Sequence, residues 1–197
     1  MRPSPYPSPG MVRTAVRVVK PSRARYGPAM KHTTSVDTEL GRLAGRFAFG
    51  AGFAAKITDG FETADWERRP SDSGGNTAHW ILGHLAMARR YVLRHLGAEL
   101  AKETWEDLFD IGAKPVSTEH YPRPAELLAD LEATSARLLE IIPALDEARC
   151  NEDWGKDTFP DGSKSVLGGL YFFQFHESYH LGQLGLLRRI AGKPGFA

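Results

Sequence analysis

Cys150 is the only cysteine in the 197 residues. No disulfide can therefore form within the chain, and so sparing a use of thiol suits a reducing compartment; a cytoplasmic location is the expectation. No apolar run reaches the roughly eighteen residues that a membrane span needs, which removes a bilayer as partner. Strand candidates and internal repeats are also missing. The most uneven absence is of acids. None occurs before Asp37, while Arg2, Arg13, Arg17, Lys20, Arg23, Arg25 and Lys31 all precede it. Setting those seven aside from the 25 Lys and Arg leaves 18 bases against 24 acids, so the rest of the chain carries about −6. A body of that sign repels phosphate backbones and excludes nucleic acid as its ligand.

The acid-free head also holds six of the 13 prolines and no sustained hydrophobic period. Residues 1–34 are expected to form a disordered extension, ahead of a single domain over 35–197. Three readings of the head stay open. It is a plain extension, or a stretch preceding a true start at Met30, or an Arg-rich transit peptide or nucleic-acid arm. The piece MVRTAVRVV is too interrupted by arginine for a secretory signal.

What is present is ordinary for a globular protein: 42% apolar and 25% charged residues. Residues 36–58 place Leu40, Leu43, Phe47, Ala51, Ala54 and Ile57 on one helical face. Residues 76–96 predict a second helix, with Asn76 as cap and Gly97 as stop. Pro124 opens a third that carries Leu127, Leu128, Leu131, Leu138 and Ile142 and ends at Pro143. Ser163 or Ser165 caps the last, which runs to about Ala191 before Gly192 and Pro194. The connection 98–122, with anchoring aromatics in WEDLF and YP, has the length of a loop that covers a site. The architecture expected is an all-α four-helix bundle.

The last helix reads HESYHLGQLG from His176. His176 and His180 lie about 40° apart and one turn along the axis, so both rings can reach one ion. The pair matches H-E-x-x-H, the zinc-protease pattern, but a zinc protease needs a third ligand further on, and no Asp, Glu or His follows His180. Completion must come from upstream. His84 lies on the mostly apolar face of the second helix; His79 is about 140° away from it, and His95 about 16 Å along the axis. His32 lies in the head and His120 in a loop. One imidazole from the second helix and two from the last would make a three-nitrogen set with positions left open, the arrangement of a catalytic metal. The competing reading is a group of core histidines bonded to neighbouring helices.

NTAHWILGHLAMARR, followed some ninety residues later by FHESYHLGQLGLLRRIAGKPG, resembles the DinB-like superfamily, and WEDLF-x-x-G with YP resembles one of its branches. The likeness spans roughly residues 36–195. It implies a bundle in up-down-down-up order and a divalent ion (zinc, nickel or iron) held by His84, His176 and His180. It also implies enzymes that use low-molecular-weight thiols, S-transferases and isomerases among them.

The leading expectation is thus a metal-dependent transferase or hydrolase acting on a small molecule, with the ion generating the nucleophile. Gly169 is expected to leave room for substrate between walls formed by Trp80 and Tyr91. Gln183 orients a water or a ligand ring, or bonds a neighbouring loop. Glu177 is a weak catalytic candidate, and Arg188 and Arg189 complement the helix dipole. A homodimer is expected, packed through the apolar faces of the first and third helices. The alternative class is a metal-binding or structural dimer with no turnover.

Overall fold

A computed structural model describes residues 38–71, 74–114, 116–155 and 158–196. The expectations for the basic head and His32 lie outside them. Four long helices carry the fold: α1 (Glu39–Thr58), α3 (Ala78–His95), α4 (Pro124–Ile141) and α6 (Val166–Ile190). Two short ones, α2 (Thr63–Trp66) and α5 (Glu147–Asn151), interrupt the connections, with 3-10 turns at Thr104–Phe109, Thr118–His120 and Ile142–Ala144. No strand occurs among the described residues; the isolated bridges Ser71–Gly74 and Asp153–Ser165 close turns.

The caps set the helix starts. Thr38 Oγ1 accepts from the Gly41 N–H, and Ser165 Oγ from that of Gly168. The second long helix is capped by Thr77, whose hydroxyl accepts from the Trp80 N–H, and not by Asn76, one residue earlier. Pro124 takes the first turn of α4, where no N–H is needed.

Side-chain contacts fix the order. Tyr171, near the start of α6, bonds Glu39 at the start of α1, and Arg188, near the end of α6, donates to the carbonyls of Ile57 and Asp59 at the end of α1. These two helices run parallel. Going up α3, His84 meets His176, and Tyr91 meets the earlier Phe173, so α3 and α6 are antiparallel. His79 bonds Pro122, and Arg90 bonds Asp130, so α3 and α4 are parallel. The result is up-down-down-up. Arg188 does more than complement a dipole. It is buried, and it closes the C-terminal end of α1 by bonding its carbonyls.

The apolar faces of α1 and α4 are consumed inside the bundle: Leu43, Phe47, Ala54 and Ile57 from one, Leu127, Leu131 and Leu138 from the other, are all buried. Exposed apolar residues of the long helices are Phe49 on α1, Leu139 on α4 and, in greater number, Tyr171, Phe175, Tyr179, Leu186 and Ile190 along α6.

One charged knot ties all four helices. Arg89 of α3 is 2% exposed. Its Nε donates to Glu177 Oε2 at 2.7 Å and its Nη2 to Oε1 at 2.6 Å. The remaining N–H groups go to the Leu131 carbonyl, the Ser135 hydroxyl and the Phe47 carbonyl. All five donors are satisfied, the condition under which a buried guanidinium is tolerated.

Candidate metal centre

The antiparallel pairing of α3 and α6 brings His84 against His176 and His180. His84 Nε2 lies 3.0 Å from His176 Nε2, and His180 Nε2 lies 3.1 Å from it. One nitrogen of each ring falls within 4.8 Å of the other two, the three-residue group of metal-ligand type found among the described residues.

The far side of two rings decides what the near side offers. His84 Nδ1–H donates to the Phe109 carbonyl at 2.7 Å, and His180 Nδ1–H donates to Gln183 Oε1 at 2.7 Å. A carbonyl only accepts, so each Nδ1 holds the proton of its neutral ring and each Nε2 presents a lone pair. Such outer hydrogen bonds orient metal-ligating imidazoles and make them more basic. Nitrogens about 2.0–2.1 Å from a shared ion, at right or tetrahedral angles, stand about 2.9–3.4 Å apart. The two separations from His176, 3.0 and 3.1 Å, fit. Without an ion, the lone pairs of His84 and His180 must share a single His176 Nε2–H.

The Phe109 carbonyl is held by a part of the chain whose role the sequence did not show. Residues Thr104–Phe109 form a 3-10 turn with the buried Glu106 inside it. Glu106 accepts from Arg90 Nε at 3.0 Å and from Arg94, and Arg90 also bonds Asp130 at 2.7 Å. Burial pushes the Glu106 carboxyl up, but bonds from Arg94, the Glu103 N–H and Arg90 outweigh that and hold it below the usual carboxylate range. The Phe109 ring packs on Gly83, where a Cβ would lie 2.3 Å from it. The glycine beside His84 is therefore a seat for this ring.

Burial, then the neighbouring rings, depress the His176 pKa to about 3; burial first and His84 second bring His180 to about 4. Burial also lowers His84. All three are neutral at pH 7, the state that binds metal. The sign for stability follows. Below the ordinary imidazole value near 6.5, the unfolded chain takes up protons that the folded rings refuse, so stability falls as pH is lowered from about 6.5 to about 3. The urea midpoint of metal-free protein is expected to be lower at pH 5 than at pH 7.5, and replacing His176 and His180 together by Leu should flatten that slope. An equal slope in the variant would remove these rings as its cause.

Two clefts open on the three rings. A larger one of about 1080 Å³ reaches His84 and His176 and is walled by Tyr91, Phe172 and Phe173. A smaller one of about 490 Å³ reaches all three and contains Trp80, whose ring stacks on His84 at 4.8 Å. Gly169 does not make room for substrate. Its Cα faces Trp154, and a Cβ there would lie 2.1 Å from that ring, so protein fills the space. Glu177 is likewise no catalyst, since both its oxygens are held by Arg89 in the core. Gln183 is engaged with His180.

The remaining histidines stand apart. The His79 Nε2–H donates to the Pro122 carbonyl, His95 stacks on Trp154 at 3.7 Å, and His120 is exposed.

A sequence model of the DinB superfamily matches residues 54–184. No curated protein matches the chain. Among solved structures, YfiT from Bacillus subtilis, described as "a probable metal-dependent hydrolase with an unusual four-helix bundle topology", is similar with a TM-score of 0.61 at 15% identity, over 86% of this chain and 95% of that one. That likeness is one of fold.

Proposed function

The chain belongs to the DinB superfamily, and from that premise we propose that it is a metal-dependent hydrolase of a small molecule, with His84, His176 and His180 holding one divalent ion through Nε2. The observation that carries the reading is geometric: the Nδ1 atoms of His84 and His180 are bonded outward to carbonyl oxygens, and their Nε2 atoms stand 3.0 and 3.1 Å from that of His176. A core histidine cluster does not need its lone pairs aimed at each other. The description of YfiT as a probable metal-dependent hydrolase supports the same class. Three imidazoles accept zinc, nickel or iron alike.

When bound, such an ion lowers the pKa of a water or a thiol and polarises the substrate. The chain's own residues do the rest. The Phe109 carbonyl and Gln183 Oε1 hold two rings in the tautomer that offers Nε2. Trp80, stacked on His84, stops that ring from turning. The aromatic wall of the larger cleft excludes water from one side of the rings and takes an apolar part of the substrate. A low-molecular-weight thiol in place of water would make the same site a transferase.

The full chain, purified without chelator, is expected to hold one equivalent of divalent metal, and His84→Ala to lose it while staying folded by circular dichroism. The metal-loaded protein should then turn over in a panel of ester and amide substrates, and a thiol-conjugation panel separates the transferase version. Metal-free wild type, or full metal in His84→Ala, overturns the assignment. Stoichiometric metal with no turnover in either panel leaves the binding class.

A further inference from the structure

We infer that the substrate has two parts, an aryl or alkyl body joined to a small carboxylate-bearing piece, and that it lies along α3 with the reacting linkage in its middle. The inference rests on the metal reading above. Thr77, Trp80, His84, Ala88, Tyr91 and Arg94 succeed one another at three- and four-residue steps, one continuous helical face. His84 stands inside that row and not at its end. Thr77 and Trp80 line only the smaller cleft, Ala88, Tyr91 and Arg94 only the larger, and His84 lines both. At 1.5 Å per residue the row extends about 10 Å to one side of His84 and about 15 Å to the other. The antiparallel α6 repeats the division, with His180 on the smaller side, Phe172 and Phe173 on the larger, and His176 on both. A substrate cut or joined at its end would need only one of these spaces.

The two compartments differ in the charge that their walls carry. The larger is apolar along Met87, Tyr91, Phe159, Phe172 and Phe173. Its cations there are matched within the wall, Arg94 by Glu106 and Lys102 by Asp107. It suits an uncharged aryl or alkyl group. The smaller sets Asn76, Thr77 and Thr118 among apolar walls such as Trp80, Ile111 and Val116, and its one charged residue besides the histidines is Arg69; among the described residues no acid lines it. Glu67, outside the lining, accepts from the Thr118 hydroxyl. Arg69 is exposed and, among the described residues, gives one N–H to the Gly75 carbonyl, so that the other side of its guanidinium can meet a carboxylate. Between the compartments runs the tight turn Asp110–Ala113, closed by the Ala113 N–H on the Asp110 carbonyl at 3.0 Å. Its tip, Ile111, lines both sides and is 87% exposed, an apolar contact for whatever passes beneath it.

Hydroxamates, which chelate divalent ions, test this on the metal-loaded full chain by calorimetry. Relative to acetohydroxamate, a phenylpropionyl hydroxamate is expected to bind at least tenfold more tightly, and a succinyl monohydroxamate several-fold more tightly. Thr158→Trp, at the exposed rim of the larger cleft, should abolish only the aryl gain, and Arg69→Ala only the carboxylate gain, with acetohydroxamate unchanged in both. Gains that are absent, or that respond to the opposite substitution, overturn the inference. Metal-free protein gives a second readout. The fluorophore 1-anilinonaphthalene-8-sulfonate should bind it and be lost in Thr158→Trp but not in Arg69→Ala. Fluorophore binding of that pattern in a chain that takes up no metal would sink the metal reading and keep the apolar compartment. Tight acetohydroxamate binding with no aryl or carboxylate gain would do the reverse.

Discussion

Replacing Arg89 by Met is expected to lower the free energy of unfolding by about 3–5 kcal/mol, because it leaves the Glu177 carboxylate buried without its partner. The size follows from how complete the pairing is. Arg89 is 2% exposed and its five N–H groups serve α6, α4 and α1 at once. The Leu131 and Phe47 carbonyls lose a donor in the same stroke, although each also belongs to a helix. Chemical denaturation would read the loss as a shifted midpoint. The double variant Arg89→Met with Glu177→Leu should recover much of it, since an apolar pair of similar volume replaces an ion pair whose burial was itself costly. A single variant as stable as wild type would mean that the knot contributes nothing. The fraction that folds should still take up metal, because the Arg89–Glu177 pair shares no hydrogen bond with the three histidines.

That separation bears on how the sequence reads. HESYH invites a zinc-protease reading in which Glu177 is the base, yet the helix that aims His176 and His180 at α3 turns Glu177 into the core. The sign was present in the residues. Leu170, Phe173, Leu181 and Leu184 stand at helical steps from Glu177, and Leu82, Leu85 and Leu93 at helical steps from Arg89. A charge inside each of two apolar stripes demands a partner, and each is the other's. The four helices were legible because periodicity and caps are local, whereas their up-down-down-up order was implied only by the resemblance to the DinB-like superfamily. The Thr77 cap was misplaced by one residue because Asn, the stronger capping residue, stands directly before it. The loops were not legible. WEDLF shows aromatics and acids, but only tertiary contact with Arg90 and Arg94 makes it a turn that presents a carbonyl to His84. Gly169 failed for a like reason: a missing side chain marks space, and only the fold says that Trp154 fills it.

Gly83→Ala should weaken metal binding by about 10–100-fold, the usual effect of disturbing the outer partner of a ligand ring. The added methyl would stand 2.3 Å from the Phe109 ring, which must withdraw. Phe109 ends the 3-10 turn, and the same residue's carbonyl holds His84 Nδ1–H at 2.7 Å, so the ring cannot move far without loosening that bond. The stability cost of such overpacking is about 1–3 kcal/mol. Phe109→Ala separates the two effects. It removes a fully buried ring, at a cost of about 3–5 kcal/mol, but leaves the backbone carbonyl and nothing to push it away. The expected order is therefore crossed: Phe109→Ala is the less stable protein, Gly83→Ala the poorer metal binder. Competition against a fluorescent chelator gives the affinities and urea denaturation the stabilities. If affinity simply follows stability across the two, the Phe109 carbonyl does not position His84, and the Gly-His pair at 83 and 84 owes its spacing to packing alone.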